Sequence, residues 1–260
     1  MKHEFFFVKN NQNSFNILLK TNNKRGIKLG RTKAALIHLL ISIFIFSLFL
    51  SLVFFIWYAY PFYITQGVTN LVYLMAGIDI VLGPLLTFII YKAGKKGLKF
   101  DLSVIGIVQV AALLYGGYII YSQRPAWVVF AVDRFEVVSL VEVNSSELNN
   151  QNLTVGVLDK PKIVYAKKPV GELASKILDS SLAGGKDIAQ TASLYEEFNL
   201  NKDKVFKAAK KIETHPILKN ETHIKESKWL PVQGKHKDII AILDDESKTI
   251  VQYKIIHPWQ

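Results

Sequence analysis

The sequence predicts an α-helical membrane protein: three transmembrane helices, then a C-terminal α+β domain on the non-cytoplasmic side. Two observations carry this. Three runs, each long enough to cross a bilayer core of about 20 residues, are almost free of charge. Basic residues crowd the loops on one side of those runs and are missing from the other.

The charge is unevenly spread. Residues 1–124 hold thirteen Lys and Arg against three acids (Glu4, Asp79 and Asp101), whereas residues 125–260 hold nineteen against eighteen. Nearly all of the formal +11 therefore sits with the apolar half. A nucleic-acid surface places its basic residues on a folded soluble face. Here they flank apolar runs, as cytoplasmic loops do, so no nucleic acid is expected. The chain contains no cysteine, which excludes disulfides, thiolate metal sites and a cysteine nucleophile.

The first span is read at residues 34–57, with no Asp, Glu, Lys or Arg. It is too long and too late for a signal peptide and has no small-residue cleavage site, so it is an uncleaved anchor. It ends in Trp57-Tyr-Ala-Tyr-Pro61, an interfacial aromatic cluster. The second span, 71–91, carries one acid, Asp79; the third, 102–121, carries no charge. Six basic residues, Lys20 to Lys33, precede the first span, and Lys92, Lys95, Lys96 and Lys99 lie between the second and third. The intervening stretch from Pro61 to Asn70 is uncharged. The positive-inside rule then places the N-terminus in the cytoplasm and the chain beyond Arg124 on the opposite side.

Residues 1–31 are polar, with asparagine runs and one short apolar stretch that builds no core, and read as a disordered cytoplasmic tail unless translation starts later. Residues 32–123 form the transmembrane domain and 124–260 one small α+β domain. Within it, Trp127 to Val138 reads as one long strand, β-branched and aromatic, and Lys162 to Ala166 as a second. Val170 to Leu182 has helical spacing and stops at Gly184-Gly185. Lys202 to Ile212 is a second helix, with Val205, Phe206, Ala209 and Ile212 on one face. The chain closes in a hairpin, Asp238–Leu243 and Thr249–Ile256, whose strands are expected beside the first one in the sheet.

Ionisable groups inside a membrane are costly and are functional candidates by default. Counted from the cytoplasmic ends, Asp79 lies at a depth of about 18 Å, Tyr115 and Ser47 at about 19–20 Å, Gln109 at about 10 Å and His38 at about 6 Å. The count makes Tyr115 and Ser47 the partners of Asp79. The site binds a proton or a partner, or else a neutral Asp79 holds the three helices together; one acid without a matching base makes a poor relay. Gly83-Pro84 should kink the second span or free a carbonyl. Ala112-x-x-x-Gly116 permits close helix approach, here most simply within the bundle itself.

The C-terminal domain has no G-x-S-x-G, no H-E-x-x-H and no phosphate loop. Gly184-Gly-Lys does not open a helix after a strand. His215, His223, His236 and His257 are scattered, without metal-ligand spacing. No catalytic residue, metal or cofactor is expected. Asn144, Asn152 and Asn220 head N-x-S/T triplets, which are frequent by chance.

Four stretches carry a resemblance. They are Lys33-Ala-Ala-Leu-Ile-His-Leu-Leu-Ile-Ser; Gly77-Ile-Asp-Ile-Val-Leu-Gly-Pro-Leu-Leu-Thr; Lys95-Lys-Gly-Leu-Lys-Phe-Asp-Leu with Gln109 and Tyr115-Gly; and Arg124-Pro-Ala-Trp-Val-Val-Phe-Ala-Val-Asp-Arg-Phe-Glu-Val-Val. In this order, and with the closing Ile255-Ile-His-Pro-Trp, the chain from about Arg31 onward resembles type IV pilin accessory proteins of the TfpX/TfpZ kind. The tail before it departs from that pattern. The resemblance implies a multi-pass protein of the bacterial inner membrane, with a periplasmic C-terminal domain, that helps its cognate type IV major pilin assemble or remain stable as a chaperone or assembly factor. It implies no cofactor. The motif residues it covers, without assigned roles, are His38, Asp79, Gly83, Pro84, Asp101, Gln109, Arg124, Pro125, Asp133, Arg134 and Glu136. Pilins wait in the inner membrane on one apolar helix with heads facing outward, and a bundle with a polar spot at Asp79 suits such a helix. The rival readings are a membrane enzyme that modifies pilin, and a regulator that meets the pilus assembly machinery through Lys92–Lys99.

Overall fold

The computed structural model describes residues 30–220 and 227–259. The tail read at 1–31 therefore lies outside the described residues, apart from its last two. Among the described residues, three helices are long and apolar enough to cross a bilayer: Arg31–Trp57, Thr69–Ile90 and Leu98–Ser122. The second is the most buried, 28% against 17% for each of the others, so it is the central member of the bundle.

The first span consists of α1 (Arg31–Leu52) and a closing π-helical turn, Val53–Trp57. A short helix, α2 (Phe62–Gln66), ends at Gly67, whose φ of 66° suits glycine. The second span comprises α3 (Thr69–Ala76), a π turn (Gly77–Leu82) and α4 (Gly83–Ile90). Pro84 has no N–H to offer the carbonyl of Ile80, and the widened turn before it absorbs that lost bond. The interruption expected at Gly83-Pro84 thus takes the form of a π turn that contains Asp79. The third span is the continuous α5 (Leu98–Ser122).

Among the described residues, the C-terminal domain is a curled, mixed eight-stranded sheet with helices on it. Its strands are β1 (Pro125–Ala131), β2 (Arg134–Ser139), β3 (Lys162–Ala166), β4 (Tyr195–Glu197), β5 (Lys210–Lys211), β6 (Ser227–Gln233), β7 (Ile239–Asp244) and β8 (Thr249–Lys254). The order is β4-β3-β1-β2-β6-β7-β8, with β5 paired to β6. The helices are α6 (Gly171–Leu182) and α7 (Lys202–Ala208).

Three expectations are corrected. The long strand at 127–138 is a hairpin, β1 antiparallel to β2, that turns at Val132-Asp133 with Ala131 opposite Arg134. The closing hairpin shares the sheet with β1 but does not adjoin it, because β2 and β6 stand between. The helix read at 202–212 stops at Ala208, and Lys210–Lys211 then pair with Lys228 and Trp229 instead.

Every residue of β1 is buried, because the strand is covered on both faces. Period-two alternation sends Trp127, Val129 and Ala131 into one core with Ile177 of α6. Val128 and Phe130 enter the other, with Val205 and Phe206 of α7 and Leu230, Val232 and Ala241. That second core also contains Phe62 of α2, from between the first two spans. Burying a phenylalanine contributes about 1.5–3 kcal/mol, so this side chain fastens the bundle to the sheet. Hydrogen bonds reinforce the joint: the backbone N–H groups of His236 and Lys237 donate to the Thr65 carbonyl at 2.8 and 3.3 Å. Gly234 lies so close that a β-carbon there would stand 2.6 Å from the same oxygen.

Candidate functional site

Most of the residues singled out by the sequence fall in three places. The first is inside the bundle. Asp79 is 7% exposed, and its Oδ1 has no hydrogen-bond partner among the described residues. Gln109 of α5 donates its Nε2 to the Asp79 backbone carbonyl at 3.1 Å, while its own Oε1 is buried and unpartnered among the described residues. Gly83 makes this approach possible: a β-carbon there would stand 2.1 Å from Gln109 Nε2. Beside this lies a half-open cavity of about 220 Å³, bounded by His38, Ser42 and Phe46 of α1, by Asp79, and by Gly106 and Gln109 of α5. His38 Nδ1 also bonds Thr87 Oγ1 at 2.6 Å, which ties α1 to α4.

The depth count therefore chose the wrong neighbours. Tyr115 is 69% exposed and Ser47 is exposed too, and neither borders the cavity. The count began at Ala34 and Leu102, but the helices begin at Arg31 and Leu98. Four extra residues raise Gln109 by about 6 Å, to the depth of Asp79. Depth also says nothing about which way a side chain faces. The overlooked signal was the i, i+4 stripe. Asp79, Gly83 and Thr87 are all buried on the second span, as are Ser42 and Phe46 on the first.

The second place is where the bundle meets the sheet. Arg124 is fully buried. Its Nη2 donates to the Gly156 carbonyl at 2.8 Å and its Nη1 to the Asp159 carbonyl at 3.2 Å, and its guanidinium lies 4.9 Å from the Tyr121 ring centre. Trp57 donates its indole N–H to the Val157 carbonyl at 2.7 Å, and the Tyr58 hydroxyl donates to the Ile120 carbonyl at 2.9 Å. Trp57 and Tyr58 were read as an interfacial belt. Both are buried: Trp57 ties the end of the first span to the 156–159 loop, and Tyr58 ties it to the end of the third span; Tyr60 remains exposed. Pro125, also buried, starts β1 immediately after Arg124.

The third place is the β1–β2 hairpin. Asp133 is exposed in the turn, and Arg134 Nε donates to Glu136 Oε1 at 3.2 Å. Burial pushes the Glu136 carboxyl above its ordinary pKa, against the opposing pull of Arg134. Asp101 is separate from all three places: it pairs with Lys95 at 2.6 Å in the first turn of α5. There an acid suits the helix N-terminus.

The family described as "Fimbrial assembly protein FimB" matches residues 28–67. A fimbrial assembly protein of Dichelobacter nodosus, serogroup I, is 33% identical over 195 residues, covering 70% of this chain and 72% of that protein. The protein of serogroups C1 and C2 of the same organism is 39% identical over 122 residues, covering 46% of this chain and 93% of that protein. The serogroup E1 protein is 38% identical over 122 residues, covering 46% of this chain and 48% of that protein. No solved structure matches. The breadth of the first of these similarities, together with the family match across the first span and α2, places the chain in the fimbrial assembly protein FimB family.

Proposed function

We propose that this protein is a pilus assembly factor of the bacterial inner membrane, of the type IV pilin accessory kind, that binds its cognate major pilin before the subunit enters the fibre. It works by binding and carries out no chemistry on its partner. Its N-terminus and the Lys92–Lys99 loop face the cytoplasm, and the sheet domain faces the periplasm.

The observation that carries this reading is the joint between bundle and sheet. Phe62 is buried in the sheet's core, Thr65 accepts two backbone hydrogen bonds from the 236–237 loop, and Arg124 fixes the 156–159 loop at the end of the third span. A factor so tied presents an intramembrane surface and an extramembrane surface in fixed relation. That suits a partner with one membrane helix and a head beyond it. The similarity to fimbrial assembly proteins supports the same process.

Photo-crosslinking from single exposed sites in the sheet domain, in living cells, tests this. Major pilin as the main adduct is the expected result. Adducts confined to assembly-machine components favour the regulator reading. A changed pilin mass between wild-type and deletion strains favours the enzyme.

A further inference from the structure

We propose that the cleft between the first and third spans receives the membrane helix of the pilin, and that this helix presents a hydrogen-bond donor to Asp79 and Gln109. The inference rests on the functional reading above and names the surface and the chemistry it uses.

The cleft is framed by α1 through His38, Ser42 and Ile45 and by α5 through Gly106, Gln109 and Val110, with Asp79 of the second span beside them. Ile45 and Val110 are 45% and 56% exposed, so both walls are open to whatever lies beside the bundle. A β-carbon built on Gly106 would meet nothing within 4 Å among the described residues. That glycine leaves room for another backbone to approach closely, as small residues do between membrane helices.

The polar content of the cleft sets the chemistry of its occupant. Two buried acceptors, Asp79 Oδ1 and Gln109 Oε1, have no donor among the described residues. Acyl chains supply none, and an unsatisfied polar group in hydrocarbon costs several kcal/mol. A helix with a hydroxyl, amide or ammonium at that depth supplies what is missing. A second copy of this chain is poorly placed to do so. Its exposed span tyrosines include Tyr73 and Tyr115, each six residues nearer the outer end than Asp79 and Gln109 respectively. Six residues are about 9 Å along a helix.

The test uses the full-length protein in its own host, with a photoreactive residue at Ile45 or Val110 and a control at the exposed Phe88 outside the cleft. Pilin adducts are expected from both cleft sites and not from Phe88. Gly106→Leu adds bulk to the cleft from a position whose β-carbon meets nothing within 4 Å among the described residues, and it should abolish those adducts at unchanged protein abundance. Asp79→Leu should reduce them about tenfold, the factor that about 1.4 kcal/mol of interhelical hydrogen bonding confers. Adducts to a second copy, adducts to lipid alone, or pilin adducts undiminished by Gly106→Leu overturn the inference. If sheet-domain sites still capture pilin while the cleft sites do not, the cleft inference alone fails. If neither captures it, the functional reading fails with it.

Discussion

Gln109 on the third span donates its side-chain amide to the backbone carbonyl of Asp79 on the second, at 3.1 Å. This bond crosses the bundle at its π turn and depends on the missing side chain of Gly83. Gly83→Ala should therefore displace Gln109 and cost about 1–3 kcal/mol, as overpacking does. Gln109→Ala in the same chain should recover part of that loss. Unfolding of the single and double variants in detergent, followed by tryptophan fluorescence, gives the coupling energy; additive losses contradict the contact.

Arg124 holds two carbonyls of the 156–159 loop and is fully buried. Arg124→Leu should cost about 2–3 kcal/mol, because it leaves those carbonyls without their charged donor. Arg124→Lys should not restore stability, since an ammonium lacks the planar fork that reaches both oxygens and covers the Tyr121 ring. The readouts are unfolding in detergent and increased protease cleavage between residues 156 and 159.

Val132 holds the β1–β2 turn at a φ of 61° and is exposed. A β-branched residue is strained there, whereas glycine is not. Val132→Gly should stabilise the domain by about 1 kcal/mol. A loss of stability would mean that the turn adopts another conformation.

Glu136 gives a pH dependence with a definite sign. Its carboxyl is raised above the ordinary value in the folded protein, chiefly by burial. The folded state then holds this proton more tightly than the unfolded state does. The Glu136 contribution to stability is present at low pH and is lost as pH rises from the unfolded pKa through the folded one. Glu136→Gln should remove that fall and leave the variant relatively more stable at neutral pH. Melting temperatures of both forms across that range show it, and parallel curves contradict it.

The spans, β3, α6 and the closing hairpin were legible because each has a strong local signal. Examples are the uncharged run of the first span and the glycine pair that stops α6 at Leu182. Other features depend on tertiary placement. The turn at Val132-Asp133 carries no glycine, and β1 and β2 are both apolar, so the pair read as one strand. β6 contains Pro231, which argues against a central strand. It is tolerated because β5 pairs at Lys228 and Trp229 and β2 pairs at Val232 and Gln233, which leaves Pro231 between the two ladders. In the bundle, the residue types of the site were legible but its pairings were not. Which face of each helix turns inward, and where each helix begins, decided that Gln109 rather than Tyr115 meets Asp79.

The most direct test of the central claim is a count of surface pili by electron microscopy in a deletion strain supplied with wild-type protein or with Asp79→Leu at equal abundance. The account predicts few or no pili in the deletion strain, restoration by the wild type, and a marked shortfall with Asp79→Leu. Full piliation in the deletion strain contradicts the assembly role, and full restoration by Asp79→Leu contradicts the part assigned to the intramembrane site.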